Sequence, residues 1–412
     1  MDSPLLAFQD LAERQRGGER ARRRDELALT VRTNSATAAT RPAFSTYMGP
    51  SREDLNVRPV FLAMMIGAVG FPASALAGTE TWREQSEKVI AGRDVDEVKV
   101  ENSRGLISVR AVDGDQIHIT ALKIARGQDK EHAKEFARAT QVVTSTEGGQ
   151  LVIRVRYPQR QTLHVGFWDL FSGGFEFPRV EVRLALEIPR ELPLTLGSTS
   201  GDLETDGIAG RQTIGTTSGD VTVTDARGDL EASSTSGSIE TGGIQAAKLR
   251  TVSGDIRVAS ARGLITVHTT SGDIQLGGMT GELDVTTVSG QVRVDRAPRG
   301  LVVHSTSGDI QVGPSGGAVR AVSSSGDVRV ELAESLRGAQ IETASGDIVV
   351  ALGRPVGCEL DLRTSSGSLD VAVPLEVQTV TRREVTGIVG NGAAQVRLRS
   401  SSGDIAVRGG GS

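Results

Sequence analysis

The stretch HTTSGDIQL, at residues 268–276, recurs with small changes through the C-terminal half of this chain. Close copies read RTVSGDIRV at 250–258, HSTSGDIQV at 304–312 and ETASGDIVV at 342–350. The glycine of the Ser-Gly pair returns every 17 or 18 residues from position 201 to position 326, and again at positions 346, 367 and 403. A fixed period of this length is typical of a solenoid, in which each repeat forms one rung of a stack.

Apolar residues alternate with polar ones inside each repeat. They fall two and four places after the glycine, as at Ile256 and Val258, and again eleven and thirteen places after it, as at Ile265 and Val267. Alternation of this kind predicts short strands with one inward face, so each repeat should supply two strands and two turns. The sequence therefore predicts an all-β protein, a β-solenoid of the parallel β-helix or β-roll-like type with about 18 residues in each rung.

A single rung cannot fold alone. Its four inward aliphatic side chains contribute at most ~6–12 kcal/mol on burial, whereas ordering its residues costs ~1–2 kcal/mol each. Stability must come from stacked neighbours, and both ends of the stack need caps. The long last interval, from Gly367 to Gly403, is interpreted as two periods with one degraded unit.

The Ser-Gly-Asp triplet is interpreted first as turn chemistry. Glycine supplies a positive φ angle, the aspartate accepts backbone N–H groups within the turn, and the preceding Ser and Thr hydroxyls are expected to bond between rungs. The alternative is a carboxylate ladder that binds a cation, because like charges one strand apart repel. The aspartate directly precedes the first apolar residue of the strand, unlike in calcium β-rolls, so a calcium-stabilised β-roll is the weaker hypothesis. The ladder aspartates are Asp202, Asp220, Asp255, Asp273, Asp309, Asp327, Asp347 and Asp404.

Residues 78–195 are predicted to form a β-rich capping region ahead of the solenoid at 196–412. Alternating segments predict strands at 151–156 and 180–188. Apolar side chains follow Asp129 at helical spacing, which predicts one short helix with Asp129 as its N-cap.

Residues 48–77 are predicted to be a secretory signal peptide. The apolar run at 60–71 is shorter than a bilayer-spanning helix needs, and small residues follow it where a signal peptidase cuts. Cleavage is expected after Ala77, with Ala75 and Gly78 completing the small-residue site. The mature chain is therefore expected to be exported: periplasmic, on the outer surface or secreted.

Two further questions about the N-terminus stay open at the level of sequence. An uncleaved membrane anchor over residues 60–77 is the alternative to cleavage. Residues 1–47 are either a disordered extension or the result of a start assigned too early, because Met48 would give a signal peptide of ordinary length.

Aromatic residues concentrate in the segment LHVGFWDLFSGGFEFP at 163–178, although they make up only 3% of the chain. One interpretation is that these rings cover the open end of the solenoid. The other is an exposed aromatic tip that enters a membrane interface or a groove of a partner. The partner-binding candidates are Phe167, Trp168, Phe171, Phe175 and Phe177.

Composition and motif searches give no indication of an enzyme. The five histidines have no metal-ligand spacing, and no nucleophile, phosphate-binding or dinucleotide motif stands in a credible context. One cysteine, Cys358, excludes an internal disulfide and a cysteine-built metal site. The formal net charge of −5 gives no basic footprint for nucleic acid. The sequence thus predicts no catalytic residues, cofactor, metal or small-molecule substrate.

Three segments together resemble a bacterial β-strand-repeat family of proposed adhesins, also called toast-rack, a domain of unknown function. They are VKVENSRGLISV at 98–109, VEVRLALEIPRELPLTLGSTSGDLET at 180–205 and the TSGDI units that continue to Asp404. The resemblance covers roughly residues 95–408, and it implies an exported or envelope-associated β-solenoid without known catalytic residues.

These observations lead to three functional hypotheses. The first is an exported, non-enzymatic β-solenoid that acts as an adhesin or binds a protein, membrane or glycan of the cell envelope. The second is an envelope-stress sensory or regulatory module whose aromatic segment docks on a membrane protein. The third is the calcium-stabilised β-roll.

Overall fold

The computed structural model describes residues 80–127, 129–158, 179–353 and 356–410, which lie within one compact unit. The extension at 1–47, the predicted signal peptide with Ala75, Ala77 and Gly78, and the aromatic segment at 163–178 fall outside the described residues. The predictions about them, and the predicted domain boundaries, stay predictions.

The capping region contains seven strands and one helix among its described residues. The strands are β1 Glu80–Ala91, β2 Glu97–Asn102, β3 Ile107–Val112, β4 Gln116–Gly127, β5 Gln141–Glu147, β6 Gln150–Arg156 and β7 Arg179–Pro189, with a short 3-10 turn at Gly92–Asp94. Helix α1, Lys130–Ala139, connects β4 to β5, and the Asp129 carboxylate accepts the backbone N–H of His132 at its N-terminus. The predicted short helix and its N-cap are confirmed.

Most repeats form shorter strands, two to a rung, whereas β21 (Ile310–Ser325) and β22 (Val328–Ser345) are long strands that each run through both halves of a repeat. They are β8 Leu194–Ser198, β9 Leu203–Asp206, β10 Gln212–Gly215, β11 Val221–Thr224, β12 Asp229–Ser234, β13 Ile239–Gly242, β14 Ala246–Thr251, β15 Ile256–Ala261, β16 Ile265–Ser271, β17 Ile274–Met279, β18 Leu283–Ser289, β19 Val292–Arg296, β20 Gly300–Ser307, β21 Ile310–Ser325, β22 Val328–Ser345 and β23 Ile348–Leu352. The C-terminal strands are β24 Cys358–Thr364, β25 Leu369–Ala372, β26 Glu376–Val380, β27 Glu384–Val389, β28 Ala394–Ser402 and β29 Ile405–Gly409.

Successive repeats pair in parallel as two stacks of strands. The first stack runs through β2, β8, β10, β12, β14, β16, β18 and β20 into the second halves of β21 and β22. The second stack runs through β3, β9, β11, β13, β15, β17 and β19 into the first halves of the same two strands, and then into β23. The predicted β-solenoid with two strands per rung is confirmed.

The core is the narrow space between the two stacks. The residues expected to point inward do so: Ile256, Val258, Ile265 and Val267 are each at most 1% exposed. Their backbone partners one rung away are also apolar, as in the pairing of Ile265 with Leu283. Each rung therefore buries its aliphatic side chains against those above, below and across.

Chain order and stacking order differ at both ends. The rung β28–β29 lies between the β22–β23 rung and the β24–β25 rung, although it comes last in the chain. At the other end, β2 and β3 lie between β6–β7 and β8–β9. The interpretation of 367–403 as two periods with one degraded unit is wrong. The extra residues form an antiparallel hairpin, β26 and β27, that pairs with β24. The following repeat, β28–β29, then inserts between two earlier rungs.

The N-terminal end is covered by α1. Ala133 and Ala137 are fully buried, and the helix packs on β1 and β4. Lys130 and Lys134 place their ammonium groups over the Trp82 ring, 5.8 and 5.4 Å from its centroid. A helix thus supplies the polar-faced cap that a solenoid requires at this end.

Candidate binding surface at the Ser-Gly-Asp corner

The Ser-Gly-Asp triplets form one continuous corner between the two stacks. A Cβ atom built on Gly219 would fall far inside van der Waals contact of the Gly201 carbonyl oxygen one rung below, and the same holds at Gly237 and Gly308. The expected positive φ is found only at Gly272 and Gly290 of these corner glycines. The general reason for glycine is therefore close backbone stacking, with the positive φ a local feature.

The aspartates act between rungs, and not within the turn as expected. The Asp202 carboxylate accepts the backbone N–H of Asp220 at 3.0 Å, one rung further along the stack. The other ladder carboxylates accept equivalent bonds from backbone N–H groups of a neighbouring rung: Asp220 from Ser238, Asp255 from Asp273, Asp273 from Gln291, Asp309 from Asp327, Asp327 from Asp347, Asp347 from Asp404 and Asp404 from Ser368. Backbone amides of the corner therefore find their acceptors in the neighbouring rung.

Two aspartates of this ladder have a basic partner within the protein. Arg257 pairs with Asp255 at 2.8 Å, and Arg329 pairs with Asp327 at 2.9 Å. The N–H of Ser368 lowers the pKa of Asp404, because a hydrogen bond favours the charged carboxylate. Within the described ranges, no three acidic, His or Cys side chains form a group able to hold a metal ion.

A hydroxyl lies three places before each corner glycine, and it is buried in every rung except the first, where Ser198 is partly buried. Thr251 accepts the N–H of Gly254 at 3.1 Å and donates to the carbonyl of Gly237 at 3.2 Å. At Thr269, Thr287 and Ser323 the hydroxyl has no partner among the described residues. In those rungs the strand continues to the serine. In two of them the glycine N–H instead donates to a serine carbonyl of the next rung, from Gly272 to Ser289 and from Gly326 to Ser345, both at 3.2 Å. Where these buried hydroxyls have a partner it is a backbone group, and not another hydroxyl as expected.

Two columns of exposed side chains run along the outside of the corner. The serine column comprises Ser200, Ser218, Ser236, Ser253, Ser271, Ser289, Ser307, Ser325, Ser345, Ser402 and Ser366. The threonine column beside it comprises Thr199, Thr217, Thr235, Val252, Thr270, Val288, Thr306, Ser324, Ala344, Ser401 and Ser365. Equivalent members are in register from rung to rung, as Ser271 is with Ser289. With the aspartate ladder, these columns form what we call the corner surface.

Planar polar side chains continue the corner surface onto the second stack. Arg257, Gln275, Arg293, Gln311 and Arg329 face outward on five successive rungs in register. The Arg293 guanidinium donates to the side-chain amide oxygen of Gln311 at 3.2 Å. Adjacent rungs lie ~4.8 Å apart, so polar side chains follow one another at about that interval along one side of the solenoid, with guanidinium and amide groups alternating on the second stack.

Titratable groups away from the corner have structural surroundings. Arg154 and Lys99 hold the pKa of Glu101 at about 2, and this carboxylate connects β2 to β6. Burial raises the pKa of Tyr157 to about 12 and that of Cys358 to about 11. His268 and His304 face outward two rungs apart, with Thr286 between them in register.

Sequence reasoning identified the aspartates and the outward Arg and Gln residues, but it missed two features of the corner. It did not separate the buried hydroxyl from the two exposed ones. Continuing the inward alternation of Ile265 and Val267 by two residues would have placed Thr269 inward as well. It also missed the bond from each carboxylate to the next rung, because rung-to-rung contacts have no local sequence signal.

The Toastrack DUF4097 family model matches residues 95–314 and 265–408. The chain belongs to this family. Its matched residues include the inserted β2–β3 rung, the corner surface and the C-terminal rung β28–β29. A search of curated proteins finds no match to this Toastrack chain. No helix in the described part of the chain is long and apolar enough to cross a membrane.

Solved structures similar to the Toastrack chain are distant in sequence. A candidate cell adhesion protein of Clostridium sporogenes is 6% identical with a TM-score of 0.19, over 80% of this chain and 100% of that one. A candidate lipid-binding protein of Parabacteroides distasonis is 13% identical with a TM-score of 0.29, over 65% and 94%. A candidate adhesin of Bacteroides fragilis is 12% identical with a TM-score of 0.23, over 79% and 97%. These scores are too low to decide fold or function.

Proposed function

We propose that this chain is an exported, non-enzymatic β-solenoid that binds a polar component of the cell envelope or cell surface through its corner surface. The observation that carries the proposal is the pair of exposed columns, which continue from rung to rung beside the aspartate ladder. The serine column has a hydroxyl in every rung, and the threonine column has one except at Val252, Val288 and Ala344. Hydrogen-bonding groups repeated at a fixed interval suit a repetitive polar ligand such as a glycan. Each contact is weak, but many contacts on one rigid support bind together.

The exposed hydroxyls are free to serve such a ligand. The hydroxyls of Ser271, Ser289 and Ser307 make no hydrogen bond to other described residues, whereas the buried hydroxyl of Thr251 bonds to the turn backbone. Where the buried hydroxyl has a partner, as at Thr251, the fold uses one of the three hydroxyl positions of the corner. The exposed serine position is polar in every rung, and the threonine position is polar except at Val252, Val288 and Ala344, which supports a role in binding.

Co-sedimentation with peptidoglycan and with envelope vesicles tests this proposal. The corner variant replaces Ser271, Ser289 and Ser307 by Ala. The matched control replaces Thr213, Thr222 and Thr224 by Ala, which removes three exposed hydroxyls elsewhere on the solenoid. We expect the corner variant to lose binding and the control to retain it, with equal melting temperatures.

A third variant separates the corner from the aromatic segment. Replacing Phe167, Trp168 and Phe171 by Ser should leave binding unchanged if the corner is the site. Loss of binding in this variant alone would contradict the proposal and favour the sensory module that docks through the aromatic segment. Equal binding by all variants would exclude both sites.

A further inference from the structure

The side chains of the corner surface repeat every two rungs, although the fold repeats every rung. The segment VSGDIRVASARGLITVHTTSGDIQL at 252–276 is followed two rungs later by VSGQVRVDRAPRGLVVHSTSGDIQV at 288–312. Each segment covers two successive corners, and the two corners differ in the same way in both segments. The first corner begins with Val and leads to an outward Arg, whereas the second begins with Thr and leads to an outward Gln.

Strand pairing places the outward residues in one alternating column on the second stack. In stack order this column reads Arg257, Gln275, Arg293, Gln311 and Arg329. Guanidinium groups therefore recur on every second rung, an interval of ~9.6 Å when adjacent strands lie ~4.8 Å apart. Because these side chains point away from the core, core packing does not explain the alternation.

The threonine column of the corner alternates with the same period. Between positions 252 and 306 it reads Val252, Thr270, Val288 and Thr306. Each valine shares its rung with an arginine of the second stack, and each threonine shares its rung with a glutamine. A ligand lying along the corner therefore meets two kinds of rung in turn, one with a guanidinium group and one with an added hydroxyl and an amide.

Arg293 is the guanidinium of this column that has no carboxylate partner among the described residues. Gln291 stands in its rung where the neighbouring corners have Asp273 and Asp309. Its Nε and one terminal nitrogen donate to the side-chain oxygen of Gln311, and the other terminal nitrogen has no acceptor in the described part of the chain. Free guanidinium N–H groups suit a ligand carboxylate, which accepts two of them in parallel.

The flanking arginines of the column are also accessible to a ligand. Arg257 and Arg329 pair with Asp255 and Asp327, but the two arginine side chains are 43% and 51% exposed. Exposed ion pairs contribute little to stability. A ligand carboxylate can therefore compete with each aspartate for its arginine.

We propose that the ligand of the corner surface is an extended glycan in which every second sugar carries a carboxylate, a refinement that rests on the proposed function. An extended β-linked disaccharide is about as long as two rungs, so successive carboxylates meet successive guanidinium groups. The hydroxyls of the sugars between them meet the Thr, Ser and Gln side chains. A neutral glycan leaves the guanidinium groups without an anion, and a carboxylate on every sugar would place half of them beside an amide and the aspartate ladder.

Titration calorimetry of the full chain with two glycans of the same linkage tests the proposal. Peptidoglycan strands freed of their stem peptides carry one lactyl carboxylate in each disaccharide, and chitin oligosaccharides of equal length carry none. We expect the peptide-free strands to bind at least about tenfold more tightly, the size of one charge-assisted hydrogen bond, with a difference that declines as salt is added. Equal affinity for both glycans would overturn the proposal and leave the proposed function standing. Binding to neither would also overturn it, and co-sedimentation with envelope material then decides the proposed function separately.

Moving a guanidinium group by one rung tests the two-rung period at constant net charge. The variant Arg293→Gln/Gln311→Arg keeps the composition of the column but places two arginines on adjacent rungs. We expect it to lose about tenfold in affinity for the peptide-free strands, as much as Arg293→Gln alone. Arg320→Gln, an exposed arginine on the outer face of the first stack, is the control and should bind as the wild type does. Wild-type affinity in the exchanged variant would show that net charge alone matters and would overturn the proposal.

Discussion

The buried hydroxyl before each corner glycine occurs in two hydrogen-bonding states, and this difference decides what each threonine contributes to stability. Thr251 accepts the Gly254 N–H and donates to a carbonyl, whereas the Thr287 hydroxyl is buried without a partner among the described residues. The same residue type at equivalent positions should therefore respond in opposite directions to loss of its hydroxyl. Valine preserves the shape of threonine and removes only the polar atom.

We expect Thr287→Val to raise the free energy of unfolding by ~1 kcal/mol, because it removes an unsatisfied buried group. Thr251→Val should lower the free energy of unfolding by ~1–3 kcal/mol, because the Gly254 N–H loses its acceptor. Urea unfolding of both variants at matched m-values measures the two changes. Changes of the same sign would contradict the assigned hydrogen bonds.

The aspartate ladder gives a second prediction for single residues. Asp273→Ala removes the acceptor of the Gln291 N–H and should lower the free energy of unfolding by ~1 kcal/mol. Asp273→Asn keeps an oxygen at that position and should lose less than half as much. If the ladder instead held a cation, a chelator would lower the melting temperature of the wild type, and both substitutions would remove that sensitivity.

Glu101 gives a prediction for pH. Its pKa is lowered from 4.5 to about 2, first by the hydrogen bond from Arg154 and then by that from Lys99. A lowered folded-state pKa means that the carboxylate stabilises the fold above its unfolded pKa, and that this contribution declines below pH 4.5 and is gone below about pH 2. The melting temperature of Glu101→Gln should therefore fall below that of the wild type at neutral pH and converge with it on acidification. Glu282→Gln, at an exposed position in the repeats, is the control.

At the scale of elements, the rung β28–β29, which is last in the chain but not in the stack, connects the C-terminal strands to the rest of the solenoid. β28 and β29 separate β22–β23 from β24–β25. Loss of this rung would remove one partner each from β22, β23 and β24, and the only partner that β25 has among the described strands. Cys358 lies on β24, fully buried, and burial raises the pKa of its thiol to about 11. The thiolate is the reactive form, so labelling of Cys358 reports the opening of this end.

Leu398→Ala should increase the rate of Cys358 labelling at least about tenfold, because loss of this fully buried side chain costs ~2–5 kcal/mol within β28. Ile256→Ala, at an equally buried position in the central rungs, should destabilise the protein without the same increase. Thiol labelling under native conditions measures both rates. Equal acceleration by the two variants would mean that the ends open only when the whole solenoid unfolds.

Elements with a local signal could be predicted, and elements defined by distant pairing could not. Alternation in the repeats predicted the strands, and Asp129 predicted the start of α1, because both patterns act over a few residues. The return of β28–β29 to an inner position has no such signal. The inward residues of β29, such as Ile405 and Val407, are of the same apolar type as those of the other rungs, so the sequence does not indicate which rungs they stack on.

At the scale of the whole molecule, regular stacking turns a weak local motif into an extended surface. Each corner contributes only two small exposed side chains and in most rungs a carboxylate, but the rungs hold them in register. The sequence predicted the polar outer residues correctly. It could not show that the exposed hydroxyls have no bond to the fold, because that depends on which backbone groups reach them.

The most direct test of the corner as the binding surface is affinity measured against the number of altered corners. The two exposed corner residues would be replaced by Ala in one, three and five consecutive rungs centred on Ser289, and binding to peptidoglycan and envelope vesicles measured at equal melting temperature. A repetitive ligand held by many equivalent contacts should lose affinity stepwise with each altered corner. Affinity that is unchanged through five altered corners, or that is lost at a single position, would contradict the proposed function.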